Sequence, residues 1–166
     1  VISDSQNRTL VAGALVGQGR VVAFGHLGYL NFSEHAGKAD TGTLYSNATS
    51  WAAGTTDRSI TVVTSESSAR DWLQAEGYTD VRLESAWYEH LEDADLVIAP
   101  VWARSANDTA FLTEATKIVD YVNGGGALVT GGLGWRSVQL GFDLPTEPGN
   151  VVMREFGLSW SSGFLP

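Results

Sequence analysis

The sequence predicts an α/β fold with a mostly parallel five-strand sheet and helices on both faces. Three observations predict it. Short apolar or β-branched runs without a polar break recur along the chain, as suits parallel strands covered on both sides. Segments of helical spacing alternate with them, and that alternation implies crossover connections and a parallel sheet. The chain has 166 residues, which fits one domain and leaves no length for a second core.

The elements follow in order. Leu10 to Val16 reads as a short approach segment, punctuated by Gly17 and Gly19, before the first strand at about 21–25. The loop Gly25-His26-Leu27-Gly28-Tyr29-Leu30 comes next, and a polar stretch leads into a helix over Thr43 to Ala53. Leu44, Ala48, Trp51 and Ala52 fall at helical spacing there, and Gly54 is a natural stop. Ser59 to Thr64 is β-branched almost throughout, which gives a strand at 60–64. Ser65 to Ser68 offer N-caps for a helix through Ala69 to Glu76, closed by Gly77. Strands are expected again at 81–84 and 95–101. Asn107 or Asp108 can cap a helix reaching Val122, because Phe111, Leu112, Ala115, Ile118, Val119 and Val122 make one apolar stripe. Gly124-Gly125-Gly126 ends it before the fifth strand at 126–130, and the turn Gly131-Gly132-Leu133-Gly134-Trp135 follows at once. A loop from Leu144 to Asn150 and a short helix from Val151 to Phe156 close the chain.

Composition excludes several classes of function. Nineteen acidic residues against ten basic ones give a net charge of −9, and Lys38 and Lys117 are the only lysines. Nucleic acid is disfavoured as a partner, because phosphate binding needs a basic stripe. No apolar run approaches the roughly 18 residues of a membrane span. Cysteine is absent, so disulfides, thiolate zinc sites and cysteine nucleophiles are ruled out. The first ten residues lack the basic start and apolar run of a signal peptide, and the chain reads as a mature form or an excised piece of something longer.

In parallel α/β sheets ligands bind beyond the carboxyl ends of the strands. The residues expected there are His26 and Tyr29, Ser65 and Glu66, Trp87 and Tyr88, Trp102 and Arg104, then Gly132, Trp135 and Arg136. Aromatic rings with polar tips around one rim can form a concave binding site. Core packing competes with that role for Trp102 and Trp135, and is the better account of Trp51 and Trp72 inside helical stripes. A histidine placed like His26 can serve as acid or base, or bond a ligand; more often it anchors its loop through backbone groups. His35 and His90 have no second His at ligand spacing, so no metal site or other cofactor is expected.

The turn Gly131-Gly132-Leu133-Gly134 has the place and small residues of a nucleophile elbow, yet Gly132 stands where Ser or Cys is required. Ser137 lies too far on, inside the next helix. The glycines do not make a dinucleotide fingerprint, because no acidic residue ends a strand about 20 positions later. Four Asn-x-Ser/Thr triplets, at Asn7, Asn31, Asn47 and Asn107, are accounted for by the abundance of Ser and Thr.

Two segments carry a resemblance: Gly25-His26-Leu27-Gly28-Tyr29-Leu30, and the run Gly124-Gly125-Gly126-Ala127-Leu128-Val129-Thr130-Gly131-Gly132-Leu133-Gly134-Trp135. With Pro148-Gly149-Asn150 and Phe156-Gly157-Leu158, they resemble the class I glutamine amidotransferase-like domain that precedes M60-like, enhancin-type metallopeptidase modules, as in the TRPM8 channel-associated factor proteins. The similarity runs from about Arg20 to Trp160. It implies a flavodoxin-like three-layer sandwich without glutaminase chemistry, since Gly132 replaces the cysteine and no His follows position 90. It also implies an accessory domain of a larger, often secreted protein that acts on glycoproteins or sits at cell surfaces; an extracellular or periplasmic setting is expected, while the absence of Cys is equally compatible with the cytoplasm. The peptidase motif His-Glu-x-x-His is absent.

The leading expectation is therefore a non-catalytic domain that binds or scaffolds a glycan, a peptide or a neighbouring domain through His26, Tyr29, Trp102, Arg104, Gly132 and Trp135. The alternative is a hydrolase using His26 with a carboxylate such as Glu66, and the third reading is a structural spacer.

Overall fold

The computed structural model describes residues 1–102 and 110–163. Its sheet has seven strands: β1 (Ile2–Ser3), β2 (Thr9–Val16), β3 (Gly19–Phe24), β4 (Thr61–Thr64), β5 (Asp80–Leu83), β6 (Leu96–Ile98) and β7 (Ala127–Gly131), in the order β1-β2-β3-β7-β6-β4-β5. The five expected strands are all present, and β3 to β7 pair in parallel. The expectation of five strands in all is corrected to seven, because the approach segment is itself β2, paired antiparallel with β3 from Val11–Phe24 to Val16–Gly19, and the short β1 pairs antiparallel with the start of β2. Its hairpin turn is Gly17-Gln18, with Gly17 at φ 57°, the left-handed conformation that a two-residue hairpin asks of glycine. The strand expected to reach Val101 stops at Ile98. Pro100 has no N–H to give, and Val101 N–H donates instead to Thr130 Oγ1 at 2.9 Å.

Strand alternation sends side chains to two cores. Val22, Phe24, Val62, Leu96, Ile98 and Val129 face one layer, formed by α1 (Phe32–His35), α2 (Thr41–Ala53) and α3 (Ser67–Ala75). Its centre is aromatic: Phe32 stacks on Tyr45 with centroids 4.0 Å apart, and Trp72 meets both edge-on. Val21, Ala23, Val63, Val97 and Leu128 face the other layer, where α4 (Ala110–Thr113), α5 (Ala115–Asn123) and α7 (Pro148–Glu155) pack. A further helix, α6 (Gly134–Gln139), follows β7 directly.

Among the described residues the long helix expected to end at Val122 is two helices broken at Glu114, and its proposed caps Asn107 and Asp108 lie outside the described residues. The last helix begins at Pro148 rather than Val151. Glu147 caps it by accepting the Asn150 N–H at 2.7 Å, and proline suits a first helical turn that has no N–H partner.

Candidate functional site

Because β3 to β7 run parallel, their carboxyl ends share one edge of the sheet, and the antiparallel β2 brings its first residues there too. Beyond β3, the loop after Gly25 turns through Leu27–Leu30. His26 Nδ1 accepts the Gly28 N–H at 2.9 Å and so caps that turn. The bond leaves the neutral ring with its proton on Nε2, a donor that no described residue engages. Partial desolvation pushes the His26 pKa down, so the ring is neutral at neutral pH. The sequence expectation that this histidine anchors its loop is met. Tyr29 stacks on Phe24 at 5.8 Å.

The elbow turn lies one strand away. Leu27 N–H donates to Gly132 O at 3.1 Å, stitching the two loops together. A Cβ built on Gly132 would come within 2.5 Å of the Trp160 indole, and one on Gly134 would collide with the carbonyl oxygen of Ser161. The closing segment of the chain therefore fills the space above the turn. Trp160 is fixed at three points: its Nε1 donates to Val101 O at 2.9 Å, its backbone N–H donates to Asn150 Oδ1, and its carbonyl accepts from Asn150 Nδ2 at 3.1 Å.

Between these loops and the β2–β3 hairpin lies a cavity of about 710 Å³. Its floor includes the register pair Ala12 and Ala23, whose small side chains leave the hollow. His26, Tyr29, Trp135, Leu158 and Trp160 wall it, with Arg8, Thr9, Ser159 and Ser161 at polar positions. Among the described residues no carboxylate lines it, in a chain of net charge −9. Arg8 is neutralised by Asp4, which takes its Nε–H at 2.7 Å and lies 2.6 Å from its Nη2. Hydrogen bonds from the Arg8 backbone and guanidinium hold the Asp4 carboxyl below its ordinary pKa. The described lining is thus electrically neutral, apolar over much of its wall and dotted with donors, the chemistry of a site for an uncharged ligand.

Of the residues named from sequence, His26, Tyr29 and Trp135 meet in this cavity. Gly132 lies behind it, under Trp160. Trp102 is buried and donates through Nε1 to Ser137 Oγ at 2.7 Å, so both are structural in position. Arg104 lies outside the described residues. Glu66, considered as a partner acid for His26, is not in the cavity lining but at the N-terminus of α3. Sequence reasoning missed Arg8, Ala12 and Trp160. The hairpin signal at Gly17-Gln18 would have brought Ala12 opposite Ala23, whereas nothing local points to Trp160. Among the described residues no group of three or more His, Asp or Glu is arranged to hold a metal, and no helix is long and apolar enough to cross a membrane.

Comparison with known proteins gives a family match over residues 1–165, to the family described as the TRPM8 N-terminal domain, TCAF_N. No curated protein sequence matches significantly. Three solved structures share the fold: an IMPa metallopeptidase in complex with T-antigen (TM-score 0.61, 14% identity), IMPa metallopeptidase from Pseudomonas aeruginosa (0.59, 12%) and IMPa from the same organism in complex with an O-glycopeptide (0.57, 13%). Each alignment covers 95% of this chain but 17% of the solved one. The chain thus spans about a sixth of the length of the structures it matches.

Proposed function

Because this chain belongs to the TCAF_N family, the TRPM8 N-terminal domain, we propose that it is a non-catalytic accessory domain of a larger, secreted protein of the M60-like metallopeptidase type. In this reading the cavity at the strand ends holds part of a glycoprotein on which a neighbouring module acts. One observation carries the non-catalytic part: at the elbow, Gly132 has no side chain and the Trp160 indole occupies the room that a nucleophile would need. The ligand part is supported by the neutral, aromatic-walled cavity beside it, and by the solved relatives, which were captured with T-antigen and with an O-glycopeptide.

Calorimetric titration of the chain with the T-antigen disaccharide and with an O-glycopeptide tests the proposal. Binding that is lost in Trp135→Ala, with the fold intact, supports it. No heat from either ligand removes the binding role and leaves a spacer. Ammonia release from glutamine, or peptide cleavage by the chain alone, overturns the non-catalytic reading.

A further inference from the structure

The two outer edges of the sheet are built differently. At one end β5 carries Arg82, which bonds Asp80 at 3.0 and 3.1 Å and reaches Asp93 at 3.7 Å. Charge on an edge strand deters the addition of another strand. At the other end β2, Thr-Leu-Val-Ala-Gly-Ala-Leu-Val, has no charged residue at all. β1 shields only its beginning, through Ile2 opposite Val11 and Ser3 opposite Thr9.

The backbone of the rest of β2 is set by its pairing with β3. Gly25 N–H donates to Leu10 O at 2.7 Å, so the even-numbered residues of β2 bond inward and the N–H and C=O groups of Gly13 and Leu15 point outward. Among the described residues nothing pairs with that outer side beyond Val11. The patch above it is formed chiefly by two apolar side chains. Leu15 is 73% exposed and Trp51 is 40% exposed. The Trp51 ring lies over Gly13, so close that a Cβ there would meet it at 3.2 Å. Arg20, opposite Leu15 on β3, donates to the Trp51 carbonyl at 2.7 Å and lays its guanidinium over the Trp51 ring, 5.6 Å from the centroid, so one cation borders the patch.

We propose that the open edge from Ala12 to Val16 is a docking site for an extended, uncharged segment of the same larger polypeptide. That segment adds a strand beside β2, bonds Gly13 and Leu15, and sets an apolar side chain against Leu15 and Trp51. The inference rests on the accessory-domain reading. Three observations choose this occupant over a second copy. An edge of five residues presents a short contact, whereas stable association between separate molecules buries roughly 1,200 Å² or more, and a tethered segment needs no such area because its effective concentration reaches about the millimolar range. The solved relatives carry this fold on 17% of their length, so most of such a chain lies outside it. The edge already accepts chain in this way, since β1 pairs at its first residues.

Hydrogen exchange read by mass spectrometry on the 166-residue chain and on the longer protein tests the inference. The Gly13 and Leu15 amides are expected to exchange freely in the first and at least tenfold more slowly in the second. Leu15→Lys, at a side chain that the fold leaves exposed, is expected to remove that protection while other strands keep theirs. Equal exchange in both proteins overturns the inference, as does protection that survives Leu15→Lys. Concentration-dependent protection in the 166-residue chain also overturns it, by assigning the edge to a second copy. Catalysis by the chain alone would overturn the accessory reading and leave the exchange result standing, so the two failures are distinguishable.

Discussion

The indole of Trp160 covers the Cα of Gly132 so closely that the smallest side chain at position 132 has no room. These residues lie 28 positions apart in sequence, and Asn150 holds the tryptophan in place from α7 by bonding both its N–H and its carbonyl. The turn after β7 is therefore closed as well as empty of a nucleophile.

It follows that Gly132→Cys does not create a glutaminase. The substitution is expected to destabilise the fold by about 1–3 kcal/mol, the usual cost of overpacking, in urea denaturation, with no ammonia released from glutamine. Adding Trp160→Ala should recover part of the loss that Gly132→Cys causes. Strictly additive effects would show that the two residues do not compete for the same space.

Trp102 and Trp135 should separate in their behaviour. Trp102 is 6% exposed and bonded to Ser137, so Trp102→Ala is expected to cost about 3–5 kcal/mol of stability. Trp135, at the cavity wall, should when changed to Ala weaken ligand binding by more than it lowers thermal stability. Equal loss of stability in both variants would assign both rings to the core.

His26 gives a pH dependence with a definite sign. Partial desolvation lowers its pKa in the folded chain, and protonation of Nδ1 would also break the bond from the Gly28 N–H. The unfolded chain therefore takes up the proton first. Stability is full above the ordinary histidine value near 6.5 and declines as the pH falls through the lower folded value. His26→Gln should flatten the slope of stability against pH between about 7 and 5. An unchanged slope would place the proton uptake elsewhere.

Tyr45 is fully buried in the aromatic core, where desolvation pushes its hydroxyl pKa up to about 12, and among the described residues that hydroxyl has no hydrogen-bond partner. An unsatisfied buried polar group costs about 1–3 kcal/mol. Tyr45→Phe is therefore expected to raise the midpoint of chemical denaturation or leave it unchanged. A clear fall would reveal a bonded water.

The parallel strands were legible because β-branched runs such as Ile60 to Thr64 suit little else. β2 was not, since its alternation is carried by alanine and glycine, whose contrast with polar neighbours is weak. The start of the last helix could have been read from Glu147-Pro148, a cap followed by a first-turn proline. Half of the site was legible from position alone, because His26, Tyr29 and Trp135 follow strands. Trp160 joins them through tertiary packing that no local pattern announces.

The middle seam of the sheet sets a condition on how the molecule is made. β3 pairs with β7, Val22 opposite Val129, so one of the first strands synthesised finds its inner neighbour only after more than a hundred further residues have followed. The two-strand hairpin of β2 and β3 can form early, but it has nothing to pack on. A growing chain that stops before Ala127 holds β4, β5 and β6 as one group and the hairpin as another, with no strand to join them. Nascent chains halted before Ala127 are thus expected to remain sensitive to protease, and those that extend past Trp160 to become resistant in one step. Contacts this distant in sequence also slow folding, and the unguarded edge of β2 stays open to other chains throughout that interval.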